Sequence, residues 1–99
     1  MPYRVEFAES AKHQFLQLSA RQRSSVFDQI RKHLQHEPLR ETRKRKQLRP
    51  NPVAPWELRI GALRAFYEID ADESDLVNIL ALGIKRGNRL FVAGKEINL

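Results

Sequence analysis

Apolar residues recur with two different periods in this chain, and the period changes along its length. Residues 2–7 alternate, with Tyr3, Val5 and Phe7 set against Arg4 and Glu6, the period-two signature of a half-buried strand. From Ala8 to Leu18 the spacing lengthens, and Ala11, Phe15 and Leu18 fall on one face of a helix. Ser19-Ala20-Arg21-Gln22 then reads as a capping box that ends one helix and starts the next. The second helix carries Val26, Ile30 and Leu34, backed by Phe27. Glu37-Pro38 should end it, because a residue before proline is driven out of the helical region. So short a link between two helices predicts an antiparallel helical hairpin.

Alternation returns after residue 55. Trp56, Leu58 and Ile60 face one way and Glu57 and Arg59 the other, up to a tight turn at Gly61-Ala62. Leu63, Ala65, Tyr67 and Ile69 then oppose Arg64, Phe66 and Glu68, and Ala71 to Ser74 forms an acidic hairpin turn. Leu76 to Leu82 is apolar almost throughout, as expected of a central strand covered on both sides. Gly83 to Arg89 reads as a basic loop. Leu90 to Val92 and Glu96 to Leu99, around Ala93-Gly94-Lys95, read as a closing strand or hairpin. The order is β-α-α-β-β-β with a possible short fifth strand. That is an α+β fold whose helical hairpin packs on one face of a mostly antiparallel twisted sheet and leaves the other face partly open. Parity sends Arg59 and Arg64 to the open face, and Tyr67 to the core.

Length and composition bound this picture. At 99 residues the chain is one domain's worth, taken as residues 1–99, with no internal repeat. The absence of cysteine excludes a disulfide framework, a thiolate metal site and a thiol nucleophile. No apolar run approaches the roughly 20 residues of a membrane span, and the N-terminus has no signal-peptide core. A cytoplasmic protein with no membrane partner is the expectation.

Charge adds a partner class. The formal net charge is +6. Between Arg31 and Arg49 stand Arg31, Lys32, Arg40, Arg43, Lys44, Arg45, Lys46 and Arg49 against only Glu37 and Glu41, so that stretch holds the whole excess. Pro38, Pro50, Pro52 and Pro55 frame the run Arg43-Lys44-Arg45-Lys46 in a long irregular connection, and such loops are usually functional or mobile. A polyanionic partner, nucleic acid first, follows. A charge run is most often simply a solvated face; lying beside an open sheet face, this one points to RNA or ribosome contact.

The ordered set of motifs resembles a known family. The segment from Trp56 through Leu58-Arg59-Ile60-Gly61, Arg64, Tyr67 and Ile69 to Asp70 is similar to the strand–turn–strand core of the RelE/ParE toxins of bacterial type II toxin–antitoxin systems. Ile79 to Arg86 resembles their next strand, which ends in a Gly-x-(Lys/His)-Arg turn. The opening strand and the helical hairpin match too, so the resemblance covers nearly the whole chain. It implies a toxin held silent by a cognate antitoxin. In RelE-like members the activity is ribosome-dependent mRNA cleavage, an mRNA interferase that inhibits translation with the ribosome and mRNA as partners. In ParE-like members the target is DNA gyrase, without nuclease chemistry. Fold alone does not choose between the branches. A small RNA-binding module with a degenerate site is the third reading.

Metal-independent cleavage of RNA requires deprotonation of the 2′-hydroxyl, neutralisation of the phosphate and protonation of the leaving oxygen. Positioning and cationic stabilisation supply much of this, and the planar fork of arginine suits the phosphate. Carried over by position, the resemblance implies Arg64, Arg86 and Arg59 as catalytic residues. The basic segments add Arg43, Lys44, Arg45, Lys46, Lys85 and Arg89 as RNA contacts, with Phe91 for base stacking. No cofactor is expected. The chain departs from the nuclease pattern where Pro55 and Glu57 replace two lysines, and where Phe91 or Val92 lies nearest a missing C-terminal tyrosine. Arg59 and Arg64 also have a plain reading as strand residues, with Arg64 paired to Glu57 or Glu68. Glu57 among arginines would be a weak base, since their charge favours its ionised form. His33 and His36, three apart on one helix, are two ligands rather than a metal site, and His13 is on another helix.

Overall fold

The computed structural model describes residues 2–99. The alternating and helical periods of the sequence become strand β1 (Arg4–Phe7), helices α1 (Glu9–Leu16) and α2 (Ala20–His33), and strands β2 (Arg45–Gln47), β3 (Trp56–Ile60), β4 (Leu63–Ile69), β5 (Leu76–Arg86), β6 (Arg89–Val92) and β7 (Lys95–Ile97). The α+β architecture is as the patterning predicts, with one strand more in the 38–55 connection and a complete closing hairpin. The capping box is also present. Ser19 Oγ accepts from Gln22 N at 3.1 Å, and Gln22 Oε1 accepts from Ser19 N at 3.0 Å, satisfying two backbone donors at the head of α2.

The strands form a single sheet in the order β2-β3-β4-β5-β6-β7, all antiparallel neighbours. Strand β1 pairs with β5 in parallel, Arg4 opposite Leu76 through Phe7 opposite Ile79. One edge of β5 is thus shared, with β1 on its first half and β6 on its last four residues, Gly83 to Arg86. The turns use the residues their geometry demands. Gly61 and Gly87 take φ +59° and +62° in the two-residue links β3–β4 and β5–β6, and the Ala93-Gly94 link has both φ angles positive, as a type I′ hairpin turn requires.

The main core lies between the helices and the sheet. Ala11, Val26, Ile30 and Leu34 meet Trp56, Leu58, Ile60, Leu63, Ala65, Tyr67, Val77, Ile79 and Leu82. Tyr67 is fully buried and donates its hydroxyl to the Pro38 carbonyl at 2.6 Å. Burial pushes that phenol well above its usual range. The opposite face carries a second, smaller cluster of Phe66, Ala81 and Ala54, flanked by Leu48, Val53, Leu80, Leu90 and Val92.

Four local expectations change. Helix α2 stops at His33 with Leu34 as its cap, before Glu37-Pro38, and the chain reverses with Glu37 at φ +54°. The 38–55 connection is more regular than its prolines imply. It contains β2, and Asn51 ties it down by accepting from Val53 N and Ala54 N at 2.8 and 3.0 Å and donating to Arg49 and Ala54 carbonyls. On the far face, where parity places Phe66 on the partly open side, that ring is instead fully buried against Ala54, Leu48 and Val53 of the connection. Finally, Gly83 to Arg86 is strand, not loop: β5 runs on to pair with β6, and only Gly87 and Asn88 turn.

Candidate functional site

Strand register decides which cations meet. On β3 and β4, Arg59 lies directly opposite Arg64, and Arg64 lies opposite Gly83 of β5. These side chains share the face away from the helices. Lys46 of β2, opposite Glu57, joins them there, and so does Lys85, two residues past Gly83. The result is a cleft of about 610 Å³ whose lining includes Lys46, Arg49, Glu57, Arg59, Arg64, Lys85, Asn88 and Leu90, together with Ile97 to Leu99. Five basic side chains surround one side-chain carboxylate.

Two like charges directly across a ladder repel. Glu57 offsets this by lying between them: its carboxylate is 3.8 Å from Arg59 Nε and 3.9 Å from Arg64 Nε. The Arg59 side chain remains about half exposed at 48%, whereas Arg64 and Glu57 retain only 9% and 11%. Arg64 is fixed by the turn it follows, donating from one terminal nitrogen to the carbonyls of Gly61 at 2.7 Å and Leu63 at 2.8 Å. Burial lowers the pKa of its guanidinium, Glu57 opposes that shift and Arg59 adds to it. A guanidinium nonetheless stays charged. The cleft therefore holds a firmly hydrogen-bonded, desolvated cation next to a half-exposed one, with the lysines of β2 and β5 beyond them. Such a cluster of planar and point cations has the chemistry to hold a phosphate group.

The remaining expected site residues go elsewhere. Arg86, the neighbour of Lys85, projects from the opposite face and lines a separate cleft of about 550 Å³ with Gln14, Gln17, Gln22, Leu63, Ile84 and Phe91. Arg86 is thus not on one face with Arg59 and Arg64. Phe91, opposite Ile84, is likewise on the helical side, and so by parity is Arg89, opposite Arg86. Gln14 shapes that second cleft by accepting from Leu82 N at 2.6 Å. Arg45 is buried against the helices, where it donates to the carbonyls of His33 at 2.7 Å and His36 at 2.9 Å. It closes the end of α2, and its guanidinium is turned to these carbonyls rather than to the cleft. Arg43 and Lys44 remain exposed beside β2.

Lys85, expected as an RNA contact, reaches the cleft from a strand rather than a loop, and Arg49 lines the cleft although the sequence pattern does not single it out as a site residue. The sequence pattern puts Lys85 in a loop, whereas β5 carries it to the two arginines, and Arg49 stands out in the sequence only as part of the charge excess. Neither has a local signal. Parity separates Lys85 from Arg86 only once β5 is extended to Arg86. Among the described residues, no three His, Asp or Glu side chains converge in a way that would hold a metal ion. The His33 imidazole is held toward its neutral form by burial and by the nearby charges of Arg45, Lys44 and Lys32.

No family model matches the chain, and no curated protein matches it. Among solved structures, it is similar to a chain in the crystal structure of the toxin–antitoxin complex RelBE2 from Mycobacterium tuberculosis. The two are 30% identical, with a TM-score of 0.68, over 87% of this chain and 100% of the other.

Proposed function

The chain belongs to the RelE/ParE superfamily of toxins, and from that premise we propose that it is a ribosome-dependent mRNA endonuclease whose partner in the cell is an antitoxin. The observation that carries this reading is the cleft in which Arg59 and Arg64 lie between Lys46 and Lys85. Arg64 is too firmly held to reorganise, so it is suited to neutralising charge that develops on a scissile phosphate. Stabilisation by a preorganised donor costs no rearrangement at the moment of reaction. Arg59, half exposed, is free to take the incoming phosphodiester first. Lys85 and Lys46 supply further positive charge along the strand path. The solvated cations Arg43 and Lys44 extend this field beyond the cleft.

The test is primer extension on a reporter mRNA after induction without the antitoxin. New 5′ ends should appear only on translated message. Arg64→Ala combined with Lys85→Ala should reduce their yield by about 10²-fold or more, the usual cost of removing a transition-state donor. Circular dichroism should confirm that the variant retains its fold.

One observation favours a second reading, inhibition of DNA gyrase without nuclease activity. The cleft is lined by neither histidine nor tyrosine, and its single side-chain carboxylate is held between two arginines. A growth arrest with intact mRNA and blocked replication would overturn the endonuclease and establish this alternative.

A further inference from the structure

The cleft contains an anion of its own. Glu57 is the second residue of β3, and its carboxylate lies between the two arginines, 3.8 Å from one Nε and 3.9 Å from the other. Both separations exceed hydrogen-bond length, so the carboxylate is attracted to the arginines but not locked to either. At 11% exposure it is nonetheless largely withdrawn from water, which a carboxylate tolerates only beside cations. The backbone on every side is fixed by ladder pairing: Glu57 opposite Phe66 and Lys46, Arg59 opposite Arg64. A phosphate oxygen approaching Arg59 and Arg64 therefore enters the space nearest to the Glu57 carboxylate, and like charges at that range in a half-desolvated cleft repel strongly.

We infer that Glu57 is an internal counter-anion that occupies the phosphate seat and determines which phosphates can enter it. This rests on the phosphate-binding reading of the cleft given above. A free phosphate or a short oligonucleotide gains little by displacing a carboxylate already in place. A phosphodiester that a larger body presents along the cleft gains further interactions with Lys46 and Lys85, and these offset the displacement. Glu57 is thus a specificity-determining residue: it disfavours loose nucleic acid and selects RNA presented by another assembly.

The experiment measures binding alone, with inorganic phosphate and with a short 2′-O-methyl oligoribonucleotide that has no 2′-hydroxyl to react. Glu57→Gln keeps the side-chain size and removes the charge. It should bind the oligonucleotide roughly tenfold more tightly than the parent, the equivalent of about one pKa unit of charge interaction. Asp28→Asn on α2, beyond the opposite face of the sheet, makes the same change in net charge and should alter affinity by less than about twofold. Equal effects of the two substitutions, or weaker binding by Glu57→Gln, would overturn the inference. If Glu57→Gln loses its cooperative thermal transition, the unaltered chain decides. On addition of the oligonucleotide, the carbon-13 resonance of the Glu57 carboxyl should move, and a bound oligonucleotide that leaves it unmoved refutes displacement. Because no cleavage is measured, the two readings fail separately. Absence of mRNA cleavage removes the endonuclease, whereas an inert Glu57→Gln in a chain that does cleave removes only the counter-anion.

Discussion

Arg43, Lys44, Arg45 and Lys46 are four consecutive cations that differ sharply in environment, and strand parity is the cause. In β2, Arg45 is opposite Leu58 on the helical side, while Lys46 is opposite Glu57 on the cleft side. Arg45 is left 8% exposed, with its guanidinium on the carbonyl of His33, the last residue of α2, and on that of His36 just beyond it. A positive charge is favoured there because unpaired carbonyls gather at a helix C-terminus. Arg45→Met keeps most of the aliphatic stem but leaves two carbonyls without a donor. It should lower unfolding free energy by about 1–3 kcal/mol in urea titrations. A drop in RNA affinity at unchanged stability would instead identify Arg45 as a contact residue. Nothing in the run of residue types distinguishes these roles, since Arg45–Gln47 has no apolar alternation to announce a strand. By contrast, the facing of Arg59, Arg64 and Tyr67 is legible, because each stands in a segment with clear period two.

Among the elements, β5 determines the geometry of both clefts. Its eleven residues from Leu76 to Arg86 pair with β4 along one side and with β1 and β6 along the other. The apolar run is readable as a central strand only to Leu82. The four residues beyond it are held by β6, a partner that pattern alone does not supply. That extension sorts Lys85 to one cleft and Arg86 to the other. It also explains a glycine at position 83. A Cβ there would lie 3.0 Å from the Phe91 carbonyl oxygen and 3.1 Å from both Phe66 Cε2 and Val92 Cγ2. Gly83→Ala should therefore destabilise the chain by about 1–3 kcal/mol through overpacking, measurable as a shift in the urea midpoint at unchanged slope. A neutral effect would mean that the β5–β6 pairing yields more easily than these close approaches indicate.

At the scale of the whole molecule, the +6 charge separates into parts with different physics. Residues 31–49 hold the entire excess by sequence, yet Arg45 is spent on the fold and Lys46 and Arg49 belong to the cleft. Arg40 pairs with Glu37, and exposed Arg31, Lys32, Arg43 and Lys44 are left to act through long-range attraction, which salt weakens; of these, Arg43 and Lys44 adjoin β2. Replacing both with Gln should reduce the salt dependence of single-stranded RNA binding by about 0.7 logarithmic units of slope for each phosphate left without its cation. Under the proposed endonuclease reading, the cleavage positions on mRNA should not move. An unchanged slope would exclude both residues from the interface. Fold class and helical hairpin are legible in the sequence because local periodicity encodes them; the cleft is not, because its residues come from several strands whose register is set by long-range pairing. The shared edge of β5 has a temporal side. Phe7 pairs with Ile79, and Arg4 with Leu76, partners that leave the ribosome much later. A nascent chain thus carries β1 with its ladder groups unpaired until β5 has been synthesised and released. Folding of such non-local pairs is slow, since the intervening loop must close before any pairing rewards it. The order of synthesis therefore imposes a delay: the sheet that brings Arg64 and Lys85 together is completed only when the late strand reaches back to β1.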